Sequence, residues 1–416
     1  MKRAIGMKSW SVVAMLALVV SCNQGAPPVP QGVGVQRESV VSNFATGSLI
    51  IPMDNSFQNA GMLRAYGMAF ALLKAGVPVH WAVKSGKTAS MPVDFSAATR
   101  NIVTMTANAN AMYRGGPFVI DAADAATARP IINAWLVTNP TVVVHEATAG
   151  FSADITEVLR AAPRIGVFLD GNEDIAFGVL NAAGIPDSAN VAWPTAQASS
   201  YPGRVDIINA AQIAGPSTGS GSDGVLLRAD GTPAFHFLIS MHYDAPSAEV
   251  VREVRQWLDA SALSHAYMQC TAATAFENHT NGRFLTTQGI TQEFDTSCLL
   301  IICTTTARDA PNPVTNRFVD DLFNQYDGTL TIDVGALQSI GLANNSALRS
   351  GTRVLLARNA SGTERIAFMR GYLDGNTANG QVSYLAGHDY STQQPISSNP
   401  LTNGARLLLN SMLASS

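Results

Sequence analysis

Charge is scarce in this sequence: 13% of its 416 residues are Asp, Glu, Lys or Arg, against 47% hydrophobic residues. No run of Lys or Arg follows the first few residues, and the formal net charge is -4. A surface that grips a phosphate backbone needs clustered cations, so the composition argues against nucleic acid as a partner. Cysteine is equally sparse, with four in the chain, too few for a dense disulfide scaffold. Beyond the N-terminus no apolar run reaches the roughly 20 residues of a membrane-spanning helix. The runs at 142–144 and 299–303 are strand-length at most. No His/Glu motif at helical spacing points to zinc. What is plentiful is apolar side chain, enough for a large core, with surface polarity drawn from Ser, Thr, Asn and Gln.

The N-terminus sets an expected compartment. Lys2, Arg3 and Lys8 surround the start of an apolar stretch over 10–20, which is too short to span a bilayer and ends in Val19-Val20-Ser21-Cys22. This resembles the lipobox of bacterial lipoproteins, in which the cysteine becomes lipidated and N-terminal after cleavage. The expectation is a signal peptide over 1–21, a lipid on Cys22, and a tether over 22–47 stiffened by Pro27, Pro28 and Pro30. A single soluble domain over 48–416 would then be held at a membrane surface. Asn23 is not the Asp that resembles an inner-membrane retention signal, so a Gram-negative host implies the outer membrane. Export permits disulfides, and Cys270, Cys298 and Cys303 are an odd number. Cys298 and Cys303 stand five apart in an apparent strand and so face opposite ways, which argues against their pairing.

From Ser48 short apolar runs alternate with amphipathic helices. A strand at 48–52 leads through the cap candidates Asp54, Asn55 and Ser56 into a helix over 58–74, with Met62, Tyr66, Ala69 and Leu73 on one face. A strand over 77–83 follows. The polar stretch 84–116 breaks the pattern and reads as an insertion or long loop. Strands are expected at 118–121, 141–145, 165–170, 234–241 and 265–269, and helices at 122–136, 154–160, 173–183 and from Ser247. A stretch over 298–370 reads as a β-rich excursion preceded or interrupted by helix at 311–326, and 381–386 as a last strand before a terminal helix carrying Leu401, Leu408 and Met412. Strand–helix alternation predicts a parallel sheet with helices on both faces, and the later hairpins predict appended antiparallel strands.

In such sheets ligands bind beyond the carboxyl ends of the strands. The residues read there are Asp54, Asp121, His145, Glu146, Asp170, His242, Asp244, Cys270, His388 and Asp389, a dense set for so uncharged a chain. Cys270 passes from strand directly to helix, where a tight turn presents a nucleophile and the helix N-terminus favours a thiolate. His388, at the end of the last strand, is its candidate base; the alternative is a buried cysteine or a disulfide from Cys270 to Cys298 or Cys303. Asp389 is an immediate neighbour of His388 and cannot readily orient it in extended chain. Asp170-Gly171-Asn172-Glu173-Asp174 offers oxygens for Ca²⁺, but reads more simply as a strand-end turn with a helix cap. His242 and Asp244, two apart, could share a metal with His388.

Strand–Cys–helix followed late by strand–Gly387-His388 resembles the class I glutamine amidotransferase-like superfamily. The stretch Gly380 to His388 and the helix with Gly404-Ala405-Arg406 are similar to its trehalose-utilisation (ThuA-like) branch. The resemblance implies a flavodoxin-like three-layer α/β sandwich, with a mostly parallel sheet. Met268 and Ala272 stand where the amidotransferases carry glycine, and Asp389-Tyr390 replaces the acid that completes their triad. The resemblance therefore leaves three functions open. One is a membrane-anchored module without glutaminase activity, binding a small polar ligand, a sugar or peptide, through Asp54, Asp170, His242, Asp244 and Asp389. The second is a hydrolase or acyl-transfer enzyme using Cys270 and His388. The third is a metal-assisted sugar-modifying enzyme. Nothing in the sequence specifies a cofactor.

Overall fold

A computed structural model describes residues 39–88, 92–216, 223–293, 314–330, 339–360 and 363–415. The expected signal segment, Cys22, most of the tether, Cys298 and Cys303 lie outside the described residues.

Two sheets organise the chain. The first is eight-stranded and contains β1 (Val40–Phe44), β2 (Leu49–Ile51), β3 (Val79–Ala82), β4 (Phe95–Asn101), β5 (Ala107–Tyr113), β6 (Phe118–Ile120), β7 (His145–Ala147) and β8 (Phe151–Leu159). Their spatial order is β1-β8-β3-β6-β2-β7-β4-β5. Helices α1 (Asn55–Gln58), α2 (Met62–Lys74) and α3 (Ala125–Thr138) interrupt them in sequence.

The second sheet contains β9 (Ile165–Phe168), β10 (Ile207–Ile208), β11 (Phe237–Ser240), β12 (His265–Gln269), β13 (Ile290–Glu293), β14 (Val314–Asn316), β15 (Ser339–Leu342), β16 (Arg353–Ala360), β17 (Thr363–Tyr372) and β18 (Gln381–Leu385). Its main path runs β10-β9-β11-β12-β18-β17-β15-β13, with β16 beside β17 and β14 beside β16. The helices of this half are α4 (Glu173–Ala183), α5 (Ala210–Ala214), α6 (Ala248–Ala260), α7 (Cys270–Asn278) and α8 (Thr402–Leu413).

These pairings correct the expected fold. Every pairing in the first sheet is antiparallel, and the second is mixed, so the molecule is not a mostly parallel flavodoxin-like sandwich. The alternation of strand and helix does set direction: β2 and β3 both run opposite to β6. It does not set adjacency, and β6 inserts between the two strands that α2 connects. Parallel pairing is confined to β10, β9, β11, β12 and β18.

Three smaller expectations also change. The stretch over 84–116 carries the β4–β5 hairpin. Residues 154–159 of the expected helix 154–160 form part of β8, because Ala153, Ile155 and Leu159 are buried at even spacing between β1 and β3. Residues 314–326 hold β14 and a 3-10 turn over Leu322–Asn324 instead of a longer helix.

Helices fill the space between the sheets. Side chains of β2, β3 and β6 from the first sheet and of β9, β11 and β12 from the second share one apolar cluster with α2, α4 and α8. Alternation then divides the second sheet: Ile239 and Tyr267 face this cluster, while Leu238, Ala266 and Met268 face a second one with α6 and α7. Helix α8 is buried on every side, so its polar residues need internal partners. Arg406 donates to the carbonyls of Met53 at 2.9 Å and Gly115 at 3.3 Å, and Asn410 donates to the Gln325 carbonyl at 2.7 Å. The expected amphipathic terminal helix is thus a central one. No helix among the described residues is long and apolar enough to cross a membrane.

Candidate functional site

The parallel strands bring three of the anticipated residues together. His242 follows β11, Cys270 follows β12 and His388 follows β18, three neighbouring strands that run the same way. Ligand atoms of the two imidazoles and the Cys270 sulfur all lie within 4.8 Å of one another, and the imidazole centroids are 4.8 Å apart. The sulfur-bearing residue is fully buried and both imidazoles are half-buried, so solvent reaches the cluster from the imidazole side.

Each member is fixed by its own local device. Cys270 has φ +50°, a left-handed conformation that costs a non-glycine residue on the order of 1–3 kcal/mol. Among the described non-glycine residues at positive φ, it is the one that joins a strand directly to a helix. This sharp turn swings the chain from the extended Gln269 into α7. The first N–H groups of that helix have no intrahelical acceptor and point toward the turn. Ala272 and Ala273 keep its opening narrow in bulk. Met268, which stands where the amidotransferases carry glycine, is buried in the same apolar cluster as Cys270, on the α6–α7 face of the sheet.

His242 is held through its backbone. Asp170, at the end of β9, accepts from Ser240 Oγ at 2.9 Å, Met241 N at 2.6 Å and His242 N at 3.0 Å through one oxygen. Its other oxygen accepts from Asn172 N at 3.0 Å. From the opposite side, Thr271 Oγ donates to the His242 carbonyl at 3.0 Å. Asp170 is therefore a positioning residue for His242 rather than a ligand-binding one, and its oxygens are occupied by protein donors. Glu173 likewise accepts from Gly171 N and Tyr201 Oη at 2.9 Å each. The oxygens of Asp170 and Glu173 in this segment are thus engaged by protein donors, as in a strand-end turn. Asp170→Ala leaves the donors of Ser240, Met241, His242 and Asn172 without their acceptor and is expected to destabilise the protein by about 1–3 kcal/mol. Asp170→Asn, which retains one acceptor oxygen, should recover part of the loss; denaturant unfolding of the two variants checks this.

His388 is aimed by Gly387, at φ +75°, and by the turn beyond it, where Tyr390 Oη donates to the Ala386 carbonyl. Tyr390 lies flat against α8 because position 404 is glycine: a Cβ there would come within 1.9 Å of the ring. Asp244 and Asp389 are exposed, at the margin of the cluster rather than within it.

The other anticipated residues belong to the first sheet, where alternating strand direction sends the ends of β2 and β6 to opposite edges. Asp121 accepts from Ala123 N at 2.9 Å, and Glu146 pairs with Arg100 at 2.6 Å and with Arg129. His145 is buried against Phe57 and shares a 2.8 Å hydrogen bond with Tyr113 Oη; burial lowers its pKa to about 4. These are structural interactions.

Asp54 caps α1, accepting from Ser56 N at 3.0 Å and Phe57 N at 3.2 Å. Burial, reinforced by the nearby Asp327 carboxylate, pushes its pKa up to about 6 from 3.8. The native state therefore holds a proton that the unfolded chain has already released. That contribution to stability is complete below about pH 3.8 and is lost as pH rises through about 6. Asp54→Asn keeps the cap acceptor and removes the charge. It should stabilise the protein by about 1–3 kcal/mol at pH 8 and by much less at pH 4; denaturant unfolding at both pH values measures the difference.

The sequence did not reveal the Asp170 clamp, whose acceptor and donors are some 70 residues apart, or the Thr271 contact. A second unseen element is Glu277 on α7. Fully buried, it accepts from Phe284 N, Leu285 N, Thr286 N, Thr286 Oγ and Tyr384 Oη. Burial raises its pKa against the pull of those donors. Through Tyr384 on β18 this carboxyl links the helix that begins at Cys270 to the strand that delivers His388.

No family model matches the chain, and no curated protein matches it. Among solved structures, Gan42B, a GH42 β-galactosidase, aligns at 10% identity and a TM-score of 0.25. The alignment covers 63% of this chain and 30% of that one. A likeness of that size carries no functional argument.

Proposed function

We propose that this protein is a cysteine-dependent acyl-transfer enzyme or hydrolase, acting on an amide or ester of a small polar molecule and held at a membrane surface by a lipid on Cys22. The observation that carries the reading is Cys270 in a left-handed turn between β12 and α7, with His242 and His388 gathered around its sulfur. Strain of this kind persists where the surrounding structure enforces it, and it recurs at nucleophile turns.

The chemistry follows from the neighbours. An imidazole takes the thiol proton, and the thiolate adds to the acyl carbon. Backbone N–H groups at the start of α7 supply donors for the developing oxyanion. The imidazolium returns the proton to the leaving amine or alcohol as its bond to the acyl carbon breaks. Water or a second acceptor then attacks the thioester with the same imidazole as base, releasing acid or transferred product and restoring the thiol. His388 is the base named by its place after the last parallel strand; His242, clamped by Asp170 and Thr271, is the second imidazole.

The test is trapping. The full chain is incubated with a panel of small acyl esters and amides, quenched in acid, and mapped by mass spectrometry. An acyl adduct on Cys270 that disappears in His388→Ala supports the reading. Acylation confined to other residues, or a Cys270 adduct formed equally well without either imidazole, would overturn it.

A further inference from the structure

The same three side chains form a donor set of a second kind. Two imidazoles and one thiol, with every ligand atom within 4.8 Å of the others, are the soft and borderline donors that transition metals prefer, and the cluster contains no carboxylate that would suit Mg²⁺ or Ca²⁺. Asp170, which supports the His242 backbone, is engaged by four N–H or O–H donors and stays outside the set. A tetrahedral Zn²⁺ with bonds of about 2.0–2.3 Å holds its ligand atoms roughly 3.3–3.6 Å apart. Rotation of the half-buried imidazoles closes a difference of that size without moving the strands. The Nδ1 atom of His242 is buried and has no hydrogen-bond partner, a buried polar atom that a metal would satisfy.

We infer that His242, Cys270 and His388 bind one Zn²⁺-class ion, with Cys270 as thiolate and the fourth position left to water or a small anion. Binding releases the thiol proton and engages one lone pair of the thiolate, drawing down the negative charge that makes the sulfur nucleophilic. Metal occupancy therefore slows nucleophilic reaction at Cys270, and Zn²⁺ acts as a reversible brake on it. The metal site rests on the geometry of the cluster alone; only its effect on turnover rests on the acyl-transfer reading.

The experiment uses the full chain, reduced, stripped with a chelator and desalted, then titrated with Co²⁺ as a spectroscopic probe and with Zn²⁺ as competitor. One equivalent of Co²⁺ is expected to produce a thiolate-to-cobalt charge-transfer band that Zn²⁺ abolishes. The band should be missing in Cys270→Ser, and His242→Ala or His388→Ala should weaken binding at least ~10-fold. A second measurement needs no variant: one equivalent of Zn²⁺ should slow alkylation of Cys270 by iodoacetamide at least ~10-fold, with peptide mapping separating Cys270 from the other cysteines. No charge-transfer band, an undiminished band in Cys270→Ser, or unprotected Cys270 would overturn the inference. The two readings fail separately, because acylation of Cys270 in the presence of chelator reports on the nucleophile alone.

Discussion

Cys270→Ala is expected to abolish turnover, with a loss of at least ~1,000-fold in kcat/KM on any acyl substrate that labels the wild-type protein. The basis is that thioester formation has no other sulfur within the cluster: His242 and His388 surround a single thiol. A loss of this size must be separated from misfolding. Cys270→Gly provides the control, since glycine adopts φ +50° without strain. Relief of strain offsets the lost packing of the thiol, and the variant should remain within about 1 kcal/mol of wild-type stability. Both variants should be inactive and folded by near-ultraviolet circular dichroism. Activity retained in either, on a substrate that acylates the wild-type chain, would remove Cys270 from the chemistry.

The second large effect is on stability. Glu277→Ala removes one carboxyl and leaves the buried donors of Phe284, Leu285, Thr286 and Tyr384 without their acceptor. An unsatisfied buried donor costs about 1–3 kcal/mol, and this substitution leaves several of them at once. A loss of about 3–5 kcal/mol is expected in denaturant unfolding. Glu277→Gln does not rescue it, because its NH₂ group would face donors. Turnover should fall as well at temperatures where the variant is still folded, since Tyr384 no longer ties β18 to α7 and the Cys270–His388 spacing relaxes. A fall below about 1 kcal/mol would mean that water replaces the carboxyl and that this link does not hold the two elements in register.

Part of this was legible from residues alone. The strands ending near Asp170, His242, Cys270 and His388 follow from short apolar runs closed by polar or glycine residues, and they are the parallel strands β9, β11, β12 and β18. The direct passage of Gln269 into a helix marked Cys270, and φ +50° is the physical form of that passage. The first sheet was not legible. Strand–helix alternation fixes the direction of consecutive strands, but the insertion of β6 between β2 and β3 is a long-range choice that periodicity does not encode. In 154–160 the apolar residues Ile155, Val158 and Leu159 fit a helical period as well as a strand. Pairing with β1 and β3 decided for the strand. Asp54 shows the same limit. It was expected to cap a helix over 58–74 but caps the separate short α1, with the long helix starting at Met62, and the neighbouring carboxylate that raises its pKa comes from Asp327, late in the chain.

The most direct measurement is the rate of iodoacetamide alkylation at Cys270 in the native chain at pH 6.5, compared with the same residue in the denatured chain and in His242→Ala and His388→Ala. A thiol activated by its imidazoles and by the start of α7 should react at least ~10-fold faster native than denatured, and most of that excess should vanish when His388 is removed. Cys270 that is alkylated only after denaturation, or whose native rate ignores both imidazoles, would show a buried structural cysteine instead.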